Sequence, residues 1–148
     1  FIQKVRETLA FTPARKAYYP GARDRYESFL SNYPQAIPLT EDVEEVVPWT
    51  VLPNVELKKG EYALSNEAFC GVLAEVEVDA NTAGEFIEKV GTICNEDIWG
   101  TLSCMILIDD KTEKEHKLVG AEPHRVNTDP TGLLDFRIVF CDSLVCLF

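Results

Sequence analysis

Alternating apolar and polar residues predict a β-strand over residues 71–79. Such alternation is typical of a strand whose two faces have different surroundings. One face would carry Val72, Ala74, Val76 and Val78, and the other Leu73, Glu75 and Glu77.

A helix and a second strand follow. The helix is predicted to begin at Asn81 or Thr82, because Thr82 and Glu85 have the spacing of a capping box. After a loop at residues 95–100, an apolar run predicts a strand over residues 101–109. Strand, helix and strand form a βαβ unit with a parallel, right-handed crossover, so the predicted fold class is α/β. The helix would bury Phe86, Ile87, Val90 and Ile93, which recur at helical spacing.

Two helices are predicted nearer the N-terminus. The first covers residues 1–11 and is the end of an amphipathic helix. The second covers residues 22–32 and follows a Pro-Gly turn. Their apolar stripes would be Phe1, Val5 and Leu9 in the first and Tyr26, Phe29 and Leu30 in the second.

Residues 33–64 are predicted to be extended and rich in turns, with a turn at residues 58–61. Prolines remove backbone donors throughout this segment. Because proline cannot donate to a β-ladder, residues 46–55 are predicted to form an edge strand or an irregular segment rather than a central strand. The prolines are Pro34, Pro38, Pro48 and Pro53.

The patterns are weaker beyond residue 110. Residues 111–119 are predicted to form one or two charged helical turns, and the apolar residues 137–148 one further strand. We therefore assign residues 1–109 to one domain and leave residues 110–148 unassigned, as either divergent sequence or a non-native tail.

The chain has a formal net charge of −11, from 14 basic and 25 acidic side chains. This charge argues against nucleic acid and anionic membranes as partners, since both require a positive surface. The acidic residues gather at residues 41–45 and 75–79, where we expect a solvated surface. The sequence shows neither a signal-peptide pattern nor an apolar run long enough to cross a bilayer, which predicts a soluble, cytoplasmic protein.

Residue spacing alone nominates no metal ligand and no catalytic residue. The five cysteines form no C-x-x-C pair, and the two histidines lack the spacing of a zinc site. The Rossmann, Walker A, G-x-S-x-G and H-E-x-x-H motifs are also missing.

Two segments together resemble the aldehyde dehydrogenases. Residues 67–69, EAF, match the first part of the family's E-x-F-G-P-V motif, and residues 70–72, CGV, stand where G-P-V is usual. Residues 95–100, NEDIWG, are similar to the N-D-x-x-Y-G segment that follows the family's next helix. Residues 13–26 resemble a divergent branch of the family. The resemblance covers about residues 1–109.

The resemblance implies part of an aldehyde-dehydrogenase-like catalytic domain, with the βαβ unit at about residues 71–109. It also implies an oxidoreductase that uses NAD or NADP, oxidises an aldehyde to a carboxylic acid and forms a homo-oligomer. Glu67 would accept hydrogen bonds from the cofactor ribose, and Phe69 would pack against the nicotinamide ring. The structural alternative is that Glu67 is an exposed carboxylate at a strand start and Phe69 a core residue. We interpret Cys70 as a packing residue.

The same resemblance implies that the chain is a fragment. The family's catalytic cysteine and nucleotide-binding domain lie farther upstream than the 66 residues that precede Glu67. We therefore expect no turnover by this chain alone. The alternative function is that of a non-catalytic, acidic α/β interaction module.

Overall fold

The computed structural model describes residues 2–43, 45–99, 104–107, 137–140 and 145–147. Helices and strands alternate along much of the chain. The helices are α1 (Ile2–Phe11), α2 (Ala22–Asn32), α3 (Tyr62–Ser65) and α4 (Ala83–Glu96). The strands are β1 (Ile37–Pro38), β2 (Thr50–Leu52), β3 (Val72–Val76), β4 (Cys104–Leu107), β5 (Arg137–Phe140) and β6 (Val145–Leu147).

The strands form one mixed sheet in the order β1-β2-β3-β6-β5-β4. The pairs β2/β3 and β3/β6 are parallel, and the other neighbours are antiparallel. The predicted α/β class is therefore confirmed. Strand β4 runs in the same direction as β3, as the βαβ prediction requires, but strands β5 and β6 lie between them. The hand of the crossover stays a prediction.

The C-terminal apolar run contains two strands instead of the single predicted strand. Strands β5 and β6 pair with each other through Ile138↔Leu147 and Val139↔Cys146. Two polar residues of types that favour turns, Asp142 and Ser143, interrupt the apolar run between these strands, and the prediction of a single strand overlooked that signal. Strand β6 also pairs with β3, so the sheet includes residues on both sides of residue 109. The predicted helical turns at residues 111–119 lie outside the described residues.

Strand β2 corrects the prediction of an edge or irregular segment, because it lies between β1 and β3. Its ladder uses only Thr50–Leu52, and Pro48 and Pro53 stand outside that stretch. The missing proline donors therefore remove no hydrogen bond from the strand. Pro38 lies in the two-residue edge strand β1, where a proline is tolerated.

Apolar residues cover both faces of β2 and β3. The larger core cluster lies between the sheet and helices α2, α3 and α4, and the smaller cluster lies under α1. The predicted alternation in β3 is confirmed, since Val72, Ala74 and Val76 join the larger cluster and Leu73 the smaller one. The result is a sheet with helices on both faces, which is the layering of an α/β protein.

Glu75 is the clearest departure from the predicted solvated surface. Its side chain is only 3% exposed and binds Arg6 of α1 with both carboxylate oxygens. The distances are 2.8 Å from Nε to Oε1 and 2.6 Å from Nη2 to Oε2. Alternation points Glu75 to the face that α1 covers, so the helix buries the carboxylate and Arg6 neutralises it. Glu41, Asp42, Glu77 and Asp79 are exposed, as predicted.

The predicted helices are confirmed as α1, α2 and α4. At the start of α4, Glu85 N donates to Thr82 Oγ1 at 3.2 Å, which is one of the two bonds of the predicted capping box. The Glu85 carboxylate accepts from Asn81 N at 3.0 Å instead of from Thr82 N. Helix α4 continues to Glu96, so the segment predicted as a loop from residue 95 begins inside the helix. The short helix α3 was not predicted. None of the helices in the described ranges has the length and apolar character needed to span a membrane.

Candidate functional site

Glu67 and Phe69 lie in the loop that joins α3 to β3. Both ends of this loop are anchored by hydrogen bonds. At the start, the Tyr33 hydroxyl accepts from Ala63 N at 2.7 Å and donates to Glu61 Oε1 at 2.5 Å, which fixes the first turn of α3. At the end, Thr50 N donates to Gly71 O at 2.8 Å and ties the loop to β2.

Gly71 allows the loop to pass close to the segment before β2. A Cβ atom at this position would stand 2.8 Å from Cε3 of Trp49 and 3.3 Å from the Pro48 carbonyl oxygen. Real side chains do not approach that closely, so a larger residue would displace the loop. Glycine therefore lets the chain turn into β3 directly beneath Trp49.

The Glu67 carboxylate has no protein partner within residues 2–43 and 45–99. Its side chain is half-buried, while the next residue, Ala68, is only 3% exposed. An ionised carboxylate accepts hydrogen bonds at both oxygens. Glu67 is therefore held near the protein surface, and no side chain or backbone group of these residues uses its acceptor capacity.

Phe69 has an unusual backbone conformation, with φ of +48°. Left-handed backbone costs a bulky residue roughly 1–2 kcal/mol, and such strain occurs often at binding sites. The ring is 40% exposed, so the alternative of a core phenylalanine is wrong. Two side chains flank it: the Tyr19 ring, with centroids 5.2 Å apart, and Arg25, whose Cζ lies 5.3 Å from the Phe69 centroid.

Arg25 is held in place by backbone carbonyl groups. Its Nε donates to Ala68 O at 3.2 Å, and its Nη2 donates to Pro20 O at 2.8 Å. The first bond ties α2 to the loop that contains Glu67 and Phe69. At 5.3 Å the guanidinium is also within cation–π range of the Phe69 ring. Arg25 thus stabilises the loop that contains Glu67 and the position of the Phe69 ring.

Sequence reasoning missed Tyr19 and Arg25 as neighbours of Phe69. Both belong to residues 13–26, which the resemblance had marked only as divergent. The one available signal was local: this stretch contains several basic and tyrosine residues in an otherwise acidic chain. Nothing in that stretch specifies Phe69, which lies more than 40 residues later.

The second segment of the family resemblance is tied to α3, the helix that precedes the first segment. Trp99 N donates to the carbonyl oxygen of Leu64 in α3 at 2.8 Å. Ile98 is buried in the larger core cluster, while the Trp99 side chain is 67% exposed. The fold therefore connects the end of the NEDIWG segment to the helix that leads into the Glu67 loop. Gly100 lies outside the described residues.

Cys70 adjoins these residues but has the properties of a packing residue, as predicted. It contacts the larger core cluster, and burial raises the pKa of its thiol to about 11. The charges of Arg25 and Arg23 act in the opposite direction but are the smaller effect. A thiol with this pKa is protonated at neutral pH and is a poor nucleophile.

A groove of about 690 Å³ lies at the other end of β3. Its lining includes Glu77 and Asp79, which follow β3, and neither Glu67 nor Phe69. Glu67 and Phe69 therefore lie away from this groove. In the described part of the chain, no three His, Cys, Asp or Glu side chains are arranged to hold a metal ion.

Comparisons with protein-family models, with curated proteins and with solved structures give no match for this chain. The residues themselves are therefore the basis for inferring a function. The relevant group contains a carboxylate without a partner among residues 2–43 and 45–99, a strained and exposed aromatic ring, and an arginine fixed beside that ring.

Proposed function

We propose that this chain is the cofactor-side part of the catalytic domain of an NAD(P)-dependent aldehyde dehydrogenase. Glu67 would bind the ribose next to the nicotinamide, and Phe69 would pack against the nicotinamide ring. The observation that carries the proposal is the half-buried Glu67 carboxylate, which has no protein partner in the described ranges and lies two residues from an exposed ring.

The chemistry of Glu67 suits a ribose. Two neighbouring hydroxyl groups can donate to the two oxygens of one carboxylate, and charged acceptors make such bonds stronger than neutral ones. Partial burial strengthens them further, because the surroundings are less polar than water. A protein carboxylate already bound to a basic side chain, such as Glu75, could not take this role without losing its partner.

The strained backbone of Phe69 also supports the proposal. Tyr19 and Arg25 hold the ring from the side of α2, and two-fifths of its surface stays exposed. A ring fixed before the ligand binds loses little conformational freedom on binding. It can therefore orient a flat aromatic ligand at low entropic cost.

In the complete enzyme, the nicotinamide would accept the hydride removed from the aldehyde. The residues of this chain would bind and orient the ring and its ribose. The hydrogen bond between Trp99 N and Leu64 O supports this reading, because it ties the second resembling segment to α3, the helix that leads into the Glu67 loop.

Replacing Glu67 with Gln in the complete enzyme is expected to lower kcat/KM for the cofactor about tenfold, because a charge-assisted hydrogen bond contributes roughly 1.5–3 kcal/mol. Glutamine keeps the side-chain length but loses the charge and one acceptor oxygen. Steady-state kinetics with varied NAD and NADP measure the effect.

Glu77→Gln is the matched control, because Glu77 is an exposed glutamate beyond the other end of β3. Glu77→Gln should leave kcat/KM for NAD and for NADP unchanged. Equal cofactor kinetics for Glu67→Gln and the unmodified enzyme would show that the ribose assignment is wrong.

The 148-residue chain alone is expected to show no aldehyde-dependent reduction of NAD or NADP, because the nucleophile of the resembled family lies farther upstream of the position matched by Glu67 than the 66 residues that precede it. Absorbance at the wavelength of the reduced cofactor, against a heat-inactivated sample, measures this. Turnover above that background would contradict the proposal. Coding sequence upstream of Phe1 that encodes a cysteine nucleophile and a dinucleotide-binding domain would support it.

A further inference from the structure

We infer that Arg25 binds an oxyanion beside Phe69. The oxyanion would be either the cofactor phosphate next to the nicotinamide ribose or a carboxylate at the far end of the aldehyde substrate. This inference rests on the proposed function and adds to it the recognition of a negative charge.

The guanidinium of Arg25 has unused hydrogen-bonding capacity. An arginine carries five N–H donors, and backbone carbonyls accept from Nε and Nη2. Within residues 2–43 and 45–99, Nη1 makes no hydrogen bond. Because the other two nitrogens are fixed, the direction of the remaining donors is also fixed.

Arg25 also has no carboxylate partner among the described residues. Arg15 and Lys59 have no carboxylate partner in the described ranges either, but both are exposed, whereas Arg25 is half-buried. The neighbouring Arg23, on the same helix, pairs with Asp42 at 2.7 Å, and Arg6 pairs with Glu75. A half-buried guanidinium that is left unpaired in an acidic protein favours an external oxyanion, while the surrounding negative charge opposes binding elsewhere.

The three groups fit one kind of ligand. The Glu67 carboxylate suits hydroxyl groups, the Phe69 ring suits a flat aromatic ring, and Arg25 suits an oxyanion. Arg25 Nε is bonded to the carbonyl of Ala68, which lies between Glu67 and Phe69. A ligand that combines hydroxyls, a ring and an oxyanion would therefore contact adjacent parts of one surface.

The test is an NMR titration of the ¹⁵N-labelled 148-residue chain, which follows the Arg25 Nε–H and the Phe69 amide. Two matched pairs of probes are used: nicotinamide mononucleotide against nicotinamide riboside, and glutarate against glutaramide. Each pair differs mainly in negative charge. We expect at least one anionic probe to cause saturable shifts and to bind at least about tenfold more tightly than its neutral partner.

Three variants separate binding from structure. Arg25→Gln should weaken binding of the anionic probe to the affinity of its neutral partner. Arg25→Lys keeps the charge and should retain part of the preference. Arg23→Gln, on the same helix, should retain all of it. The Phe69 amide shift in each unliganded variant reports whether the loop is still in place.

The two sources of the oxyanion give different results. A preference for the mononucleotide assigns the cofactor phosphate, and a preference for glutarate with equal binding of the nicotinamide pair assigns a substrate carboxylate. Equal binding within both pairs, or an anionic preference that survives Arg25→Gln, would overturn the inference. The proposed function fails separately, through unchanged cofactor kinetics of Glu67→Gln.

Discussion

Replacing Arg6 with Met is expected to lower the free energy of unfolding by about 3 kcal/mol, because it leaves a buried carboxylate without its counter-charge. Glu75 is only 3% exposed and lies within β3. Methionine has nearly the volume of the arginine stem, so most of the packing under α1 is kept. The midpoint of urea denaturation, with an unchanged slope, measures the loss.

Two comparisons separate this effect from a general weakening of α1. Lys4→Met removes an ion pair on the exposed side of the same helix and should change stability little. The double variant Arg6→Met/Glu75→Leu removes both charges and should recover most of the stability, since an apolar pair is not penalised by burial. If the double variant is no more stable than Arg6→Met, the buried charge is not the cause.

Replacing Tyr33 with Phe is expected to lower the free energy of unfolding by about 2 kcal/mol, because a buried N–H loses its acceptor. The hydroxyl accepts from Ala63 N and donates to Glu61 Oε1, whose side chain is only 12% exposed. Both bonds are lost, while the ring can keep its packing. Thermal or urea unfolding measures the change, and amide exchange at Ala63 should accelerate selectively.

The pH dependence gives Tyr33→Phe a second readout. Burial, and then the hydrogen bond to Glu61, raise the pKa of Tyr33 above its ordinary value. The folded protein therefore keeps the phenolic proton at a pH where the unfolded chain releases it. The stabilisation is complete below about pH 10 and is lost as the pH rises further. The stability difference between the two proteins should narrow above pH 10, and a constant difference would contradict this assignment.

These contacts also matter to the proposed site. Tyr33 fixes the start of α3, and α3 leads through Ser65 into the loop that holds Glu67. Fraying of α3 would therefore make the position of the Glu67 carboxylate less well defined without altering its chemistry. Arg6 and Glu75 fix β3 from the other face of the sheet, at a greater distance from the site.

Short-range patterns predicted much of the fold because their causes are local. The stripes of α2 and α4 and the Thr82 cap depend on residues within one or two turns of each other. The same is true of the alternation in β3. The position of β2 inside the sheet was not predictable in this way, since it depends on strands that are distant in sequence.

The sequence by itself determined the α/β class, the two faces of β3 and the choice of Glu67 and Phe69, because each follows from periodicity or from a short motif. Only the tertiary structure decided that Arg6 neutralises Glu75 and that Arg25 flanks Phe69. Those pairs are separated by 69 residues and by more than 40 residues along the chain. Charge and aromatic character are visible in a sequence, but the partner that satisfies them is set by how helices pack on the sheet.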